Sequence, residues 1–212
     1  LTTDTDDVSL LLAHIRAELP PSFDHIPDGW PESIELALID AVLSIRARYG
    51  TSADTGVRGA IGRYQRAFPE RAPWNDLRAL AELDPVKLGE VLENRQKTGG
   101  APKAEVIVTA AGRLADSDAV RAEDVDESKH KSAYLGTRGL GPVTWSYLLM
   151  LLGHEGVKAD ILVTRFVEQA VGRKARVEEV AELVTKAAQE LEVSATVLDH
   201  AIWRHMSAPR KN

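Results

Sequence analysis

The strongest constraint on the fold lies between residues 138 and 167, RGLGPVTWSYLLMLLGHEGVKADILVTRFV, where a two-glycine turn leads into an apolar helical stretch. Gly139-Leu140-Gly141 follows a short helical pattern ending near Tyr134-Leu135 and precedes an apolar segment from Pro142 to Leu152. Pro142 suits a first helical position, where its missing N–H costs nothing. Two glycines around one apolar residue allow a tight turn in which Leu140 is the anchor and successive N–H groups point outward. Such a nest at a helix N-terminus is a natural phosphate site. Thr144 is placed either to donate to that phosphate or to satisfy its own first turn. Asp160 comes nineteen positions after Gly141 and opens the next apolar run, Ile161 to Val171. From its residue type alone it is a sound N-cap for that helix.

The remainder reads as helix after helix, with no convincing strand and no fixed-period repeat. Asp6 or Asp7 caps a helix through Glu18, which Leu19-Pro20-Pro21 ends. After an irregular segment to Trp30, a long apolar helix from about Pro31 runs through Arg48 and is stopped by Gly50. Further helices are expected over Ala53–Phe68, after caps at Asn75 and Asp84, from Pro102 to about Leu114, and over Val177–Leu191 and Ala195–Met206. Gln96 to Ala101, QKTGGA, reads as a loop, and residues 116–126 are acidic and loosely patterned.

The 138–167 block resembles the helix-hairpin-helix motif and following loop of the helix-hairpin-helix DNA glycosylase superfamily, whose best-known branch is the endonuclease III type. That family pattern is a hairpin of the form Leu-Pro-Gly-hydrophobic-Gly, an apolar helix, a closing Gly, a catalytic Asp seven residues later and an Arg five beyond. Gly139, Gly141, Gly153, Asp160 and Arg165 match it in spacing. More loosely, Ile34–Arg48 resembles the family helix that ends in a duplex wedge, with Arg46 at the wedge position. Lys103–Leu114 resembles the helix opened by a Lys-Ala-x-x-Ile pattern, and Leu198–Met206 the closing core helix.

The resemblance implies an all-α fold of two helical subdomains and a DNA-binding surface of Gly139, Leu140, Gly141, Val143, Thr144 and Arg46. Asp160 would be the catalytic carboxylate. Tyr134 and Trp145 are candidate base-pocket residues; the helical spacing of Trp145, as of Tyr147, is more often that of a core position, while Tyr134 is open between the two. Arg46, with Arg48 and Tyr49, reads either as the wedge or as a cationic helix C-terminus.

Two departures shape the expected chemistry. Bifunctional relatives carry a Lys two residues after the second hairpin Gly, where this chain has Val143, so no amine is available there for a Schiff base. The chain has no cysteine, which excludes both an iron–sulfur cluster of the endonuclease III kind and disulfides. Leu162 also stands where the family often has a polar residue. No metal cluster stands out and no cofactor is expected, a monovalent cation at the hairpin being the one candidate.

Bulk properties fit this reading. With 212 residues and 44% hydrophobic content the chain can bury a full core. It shows neither a membrane span nor a signal segment, so a soluble cytoplasmic protein, nucleoid-associated when bound to DNA, is expected. The net charge of -6 is unevenly spread: residues 1–40 carry nine acids and one base, the rest 23 acids and 25 bases. Local rather than total charge governs approach to phosphate. The expected organisation is an acidic N-terminal extension, 1–30, and a helical domain, 31–212. The expected function is monofunctional base excision from double-stranded DNA. The alternatives are a non-catalytic DNA-binding protein on the same fold and a helical protein-interaction domain using the acidic segment. Oligomeric state and the base recognised are not legible.

Overall fold

The computed structural model describes residues 5–23, 29–47 and 55–208. Among them the fold is all-helical: α1 (Thr5–Glu18), α2 (Ile34–Leu43), α3 (Gly56–Ala67), α4 (Leu77–Ala81), α5 (Pro85–Leu92), α6 (Lys103–Asp116), α7 (Glu127–Leu135), α8 (Pro142–Leu151), α9 (Ile161–Val171), α10 (Val177–Glu190) and α11 (Ala195–Ser207). The expected QKTGGA loop is instead a small hairpin of β1 (Lys97–Thr98) and β2 (Ala101–Pro102), with Lys97 opposite Pro102 and Thr98 opposite Ala101. Gly99 and Gly100, both at positive φ, make its tight turn possible.

The chain divides into two compact units, residues 29–153 and residues 1–28 with 154–212. In the first, α2 is buried at every position from Ile34 to Leu43 and packs against α3, α4, α6 and α8. A helix apolar nearly all round belongs at the centre of a core. Its two carboxylates are answered inside that core. Glu35 receives Arg71 Nε at 3.1 Å and Nη2 at 2.9 Å, Asp76 N at 3.1 Å, and the Tyr64 hydroxyl. Asp40 accepts from Trp30 Nε1 at 3.1 Å and the Tyr147 hydroxyl at 3.3 Å. Buried charge persists where it is paired and hydrogen-bonded in this way.

In the second unit α1 packs on α9 and α10, and α11 closes on both of those helices. Leu11 and Ile15 join Phe166, Val167, Leu183, Val184, Leu198 and Ile202 in its core. Asp6 and Asp7 lie within the first turn of α1 rather than before it. Asp7 pairs with Arg173 at 2.5 Å.

Several element ends differ from the sequence expectation. The α2 helix stops at Leu43, five residues short of Arg48, and beyond it Arg46 takes a left-handed conformation with φ 51°. The Gly50 stop, the Ala53 start and the side chains of Arg48 and Tyr49 lie outside the described residues, as does part of the irregular segment before Trp30. Asp76, not Asn75, caps α4, accepting from Arg78 N and Ala79 N. Asn75 Oδ1 instead ties Ala122 N at 2.8 Å. Asp84 caps α5 with Pro85 at its first position, as read.

Candidate functional site

The hairpin is built from the end of α7 to the start of α8. Thr137 N donates to Tyr134 O at 3.0 Å and Leu140 N to Thr137 O at 3.1 Å, which turns the chain. Gly139 has φ 94°, open to glycine alone in practice, and an added Cβ would meet Gly99 N at 2.8 Å. Gly141 is different. Its φ of -149° is ordinary extended backbone, and a Cβ there would meet nothing within 4 Å.

Gly141 is the N-cap of α8 and Pro142 its first residue. Thr144 closes the turn on itself: its Oγ1 accepts from Gly141 N at 3.0 Å and donates to Gly141 O at 2.8 Å. The Gly141 amide is thereby engaged. The amides of Val143 and Thr144 fall in the first helical turn, which has no intrahelical acceptor for them. Together with the open position at Gly141, they form the approachable edge of the hairpin. Arg138 is exposed beside it, its guanidinium 3.8 Å from a Cβ placed on Gly100. Thr98 Oγ1 donates to Gly139 O at 2.9 Å, so the β-hairpin braces the glycine hairpin.

Tyr134 and Trp145 are fully buried, with ring centroids 5.2 Å apart, and the Tyr134 hydroxyl reaches Thr144 O at 3.3 Å. Burial pushes the Tyr134 phenol well above its usual range. Both rings lie beneath the hairpin and offer no exposed face, the core alternative read for them in the sequence. Leu140 is half-buried against the same core, as an anchor should be. Arg46 is exposed after α2 in this unit.

Asp160 belongs to the other unit. It caps α9, Oδ1 accepting from Leu162 N at 2.8 Å and Val163 N at 3.1 Å, while Thr164 N donates to its backbone carbonyl at 2.8 Å. Both cap bonds fall on one oxygen, leaving Oδ2 outside the cap on a half-buried side chain. The preceding loop is held by Ala195 N to Glu155 Oε1 at 3.0 Å and by Gly156 N to Thr196 Oγ1 at 3.0 Å. Arg165 and Ile161 are exposed, and Leu162 is half-buried.

Three features stand outside the sequence expectation, which had Lys103 flanking the Gly99-Gly100 loop where it could approach phosphate. Asp199, on the inner face of α11, is 5% exposed, takes a backbone hydrogen bond from Lys158, and leaves Oδ1 without a partner. Burial, and secondarily the charge of Asp160, raises its pKa to about 7. A carboxylate between Leu198 and Ile202 in an otherwise apolar stripe was the available signal. Lys103, also buried, carries an ammonium bonded to main-chain carbonyls of the α2 end. The third is a cavity of about 230 Å³ lined by Pro20, Phe23, His200, Ala201, Arg204 and His205. No group of His, Asp and Glu that could hold a metal occurs among the described residues.

Solved structures resemble this chain, three of which are these. A thermostable thymine-DNA glycosylase matches 96% of it over 87% of its own length, at 15% identity and TM-score 0.55. Endonuclease III in a trapped covalent intermediate with DNA matches 95% over 84%, at 16% identity and TM-score 0.53. The 8-oxoguanine DNA glycosylase of Thermotoga maritima matches 84% over 82%, at 17% identity and TM-score 0.52. The chain therefore has the all-α fold of the helix-hairpin-helix DNA glycosylases, as the resemblance implied. Within that fold it belongs to the family described as Domain of unknown function (DUF8548), whose model matches residues 9–207. No protein of curated function matches the sequence.

Proposed function

We propose that this protein is a monofunctional DNA glycosylase that hydrolyses the N-glycosidic bond of a damaged or modified base in double-stranded DNA. The observation that carries the reading is the division of labour within the Asp160 carboxylate. One oxygen is fixed by two amides while the other stays outside the cap. The solved structures of the same fold are named as glycosylases of DNA or as a complex with it, which supports the substrate class.

When the C1′–N bond breaks, its electron pair leaves with the base and positive charge develops on the sugar. A carboxylate held near C1′ stabilises that charge. Water then forms the new C1′–O bond and gives its proton to Asp160, acting as general base. The departing base takes up a proton and Asp160 gives up the one it accepted, so the products are the free base and an abasic site in an intact strand. Val143, lacking an amine, cannot replace water as nucleophile. The Val143 and Thr144 amides at the open Gly141 edge would take a backbone phosphate, with Arg46 entering the duplex where the nucleotide is everted.

A monovalent cation at the hairpin would have to share carbonyls already in use: Thr137 O accepts from Leu140 N, Gly139 O from Thr98, and Gly141 O from Trp145 N and Thr144. No step needs it. A second reading, a non-catalytic DNA-binding protein, is favoured by Leu162 in the first turn of α9 and by the complete burial of Tyr134 and Trp145. The two are separated by incubating the protein with duplexes bearing alkylated, deaminated, oxidised and hypermodified bases, then cleaving abasic sites with alkali. Base release from any of them supports the enzyme. Salt-sensitive duplex binding with no release across the set supports the second reading.

A further inference from the structure

The last carbonyls of α2 are satisfied from sixty residues away. Lys103, at the first position of α6 and 1% exposed, donates from Nζ to Leu43 O at 2.8 Å, Ile45 O at 2.6 Å and Gln96 Oε1 at 2.7 Å. An ammonium has three N–H bonds to give, and all three are given. Two go to the C-terminal end of a helix, where the dipole favours a cation. The third goes to the residue that leads into β1, and Lys103 N donates to Gln96 O at 2.9 Å as well.

Arg46 follows Ile45 directly, exposed and at φ 51°, a conformation that residues with a Cβ seldom adopt unless the surroundings hold them there. The bond from Lys103 to Ile45 O fixes the peptide immediately before it. From Gln96 the connection continues through the β-hairpin to Thr98, whose hydroxyl holds Gly139 O. One buried ammonium thus links the Arg46 turn to the bracing of the glycine hairpin.

We infer that Lys103 is a positioning residue for DNA binding, holding Arg46 in the left-handed turn from which its guanidinium enters a duplex and fixing that turn relative to the Gly139 hairpin. The inference rests on the DNA-binding reading above and adds to it a residue that touches no DNA.

Burial lowers the Lys103 pKa to about 8, and no charged neighbour contributes to that shift. The sign separates positioning from mere stability. Between about pH 8 and the ordinary lysine value the unfolded chain binds more protons than the folded one, so this group makes the fold more stable as pH rises. Over the same interval the clamp loses its charge and one donor, and binding that depends on the clamp weakens.

The test uses the full chain, Lys103→Met, Arg46→Ala and the double variant. Amide hydrogen exchange over residues 44–47 and 96–102 reads the clamp. Anisotropy with a duplex carrying a tetrahydrofuran abasic analogue reads binding. Lys103→Met should exchange faster in both segments, keep its helical circular dichroism, and bind roughly 10-fold more weakly, the scale of one lost charge-assisted contact. If Lys103 acts through Arg46, the double variant should bind no worse than Arg46→Ala. Wild-type binding should fall as pH passes about 8, a step missing from Lys103→Met.

Unchanged exchange, wild-type affinity despite faster exchange, or additive losses would each overturn the inference. Should Lys103→Met not fold, Gln96→Ala removes only the third acceptor and must loosen residues 44–47 and weaken binding in the same direction; failure to do so counts against it. A wild type that binds no duplex overturns the DNA-binding reading and this role together, while the exchange data alone decide whether the clamp exists.

Discussion

Gly99 and Gly139 pack back to back: a Cβ on Gly99 would fall 2.7 Å from Gly139 Cα, and one on Gly139 would fall 2.8 Å from Gly99 N. Both have positive φ, 59° and 94°. Two turns distant in sequence therefore fit only because neither carries a side chain. Gly139→Ala should destabilise the protein by about 2–4 kcal/mol, combining the left-handed penalty with overpacking. Gly141→Ala, with open space and extended backbone, should change stability by no more than about 1 kcal/mol. If a phosphate comes against that position, it should nonetheless weaken duplex binding by roughly 10-fold with little sequence preference. Urea unfolding and binding titration give both numbers, and a Gly141→Ala protein with wild-type affinity would remove the hairpin from the interface.

Asp160→Asn tests the carboxylate without removing the cap, since Asn caps a helix about as well as Asp. The catalytic reading expects single-turnover base release to fall by roughly 100-fold or more while duplex affinity holds, because the lost interaction grows in the transition state. A residue that only caps predicts no change in either. The measurement requires a substrate from the duplex screen and a thermal melt showing the variant intact.

Asp199 gives the fold a pH dependence of definite sign. Its folded pKa is raised, so the stability it confers is complete below the ordinary carboxylate range and is lost as pH rises towards about 7. The full loss is on the order of 4 kcal/mol by the usual conversion. Asp199→Asn keeps an acceptor for the Lys158 amide and carries no charge, so it should be the more stable protein at pH 8. At pH 4 the two should be nearly equal. Denaturant midpoints at the two pH values decide it, and a parallel response of both proteins would mean that Asp199 is not the group responsible.

Val143 predicts an absence of lyase chemistry through α8. Borohydride added with abasic DNA should trap no covalent complex beyond what the N-terminal amine accounts for. Trapping that survives blocking of that amine would place a reactive lysine elsewhere and end the monofunctional assignment.

The Glu35 site predicts a stability cost rather than a catalytic one. Arg71→Met leaves a carboxylate buried without its partner and should lower stability by about 3–5 kcal/mol. Adding Glu35→Gln should recover part of that loss, as read from chemical denaturation of the single and double variants.

How far the structure could be read in advance depended on whether the physics was local. Helices such as α8 and α9 carry their own signals: Pro142 at a first position, Asp160 accepting from the amides of Leu162 and Val163, Gly172 in a left-handed C-terminal turn. The end of α2 carries none, because what stops it is Lys103, distant in sequence, taking the carbonyls that a longer helix would have used. The QKTGGA segment looked like a loop because two-residue strands have no period to detect. Asn75 and Asp76 are equally good caps by type, and only the competing claim of Ala122 N on Asn75 decides between them. At the candidate site the hairpin and Asp160 were legible as spacing. Asp199 was not, since its carboxylate is defined by the Lys158 amide and by its closeness to Asp160.

The pairing of α1 with helices from the far end of the chain sets an order of events on the ribosome. Residues 29–153 form a contiguous unit whose partners are all present once α8 has emerged. The α1 helix is made well before its partners, and the surface that covers Leu11 and Ile15 is not synthesised until α9 and α10 appear. At ordinary elongation rates that interval is roughly ten seconds or more. During it the apolar face of α1, flanked by the acidic side chains of Asp6, Asp7 and Glu18, has none of its folded partners to pack against.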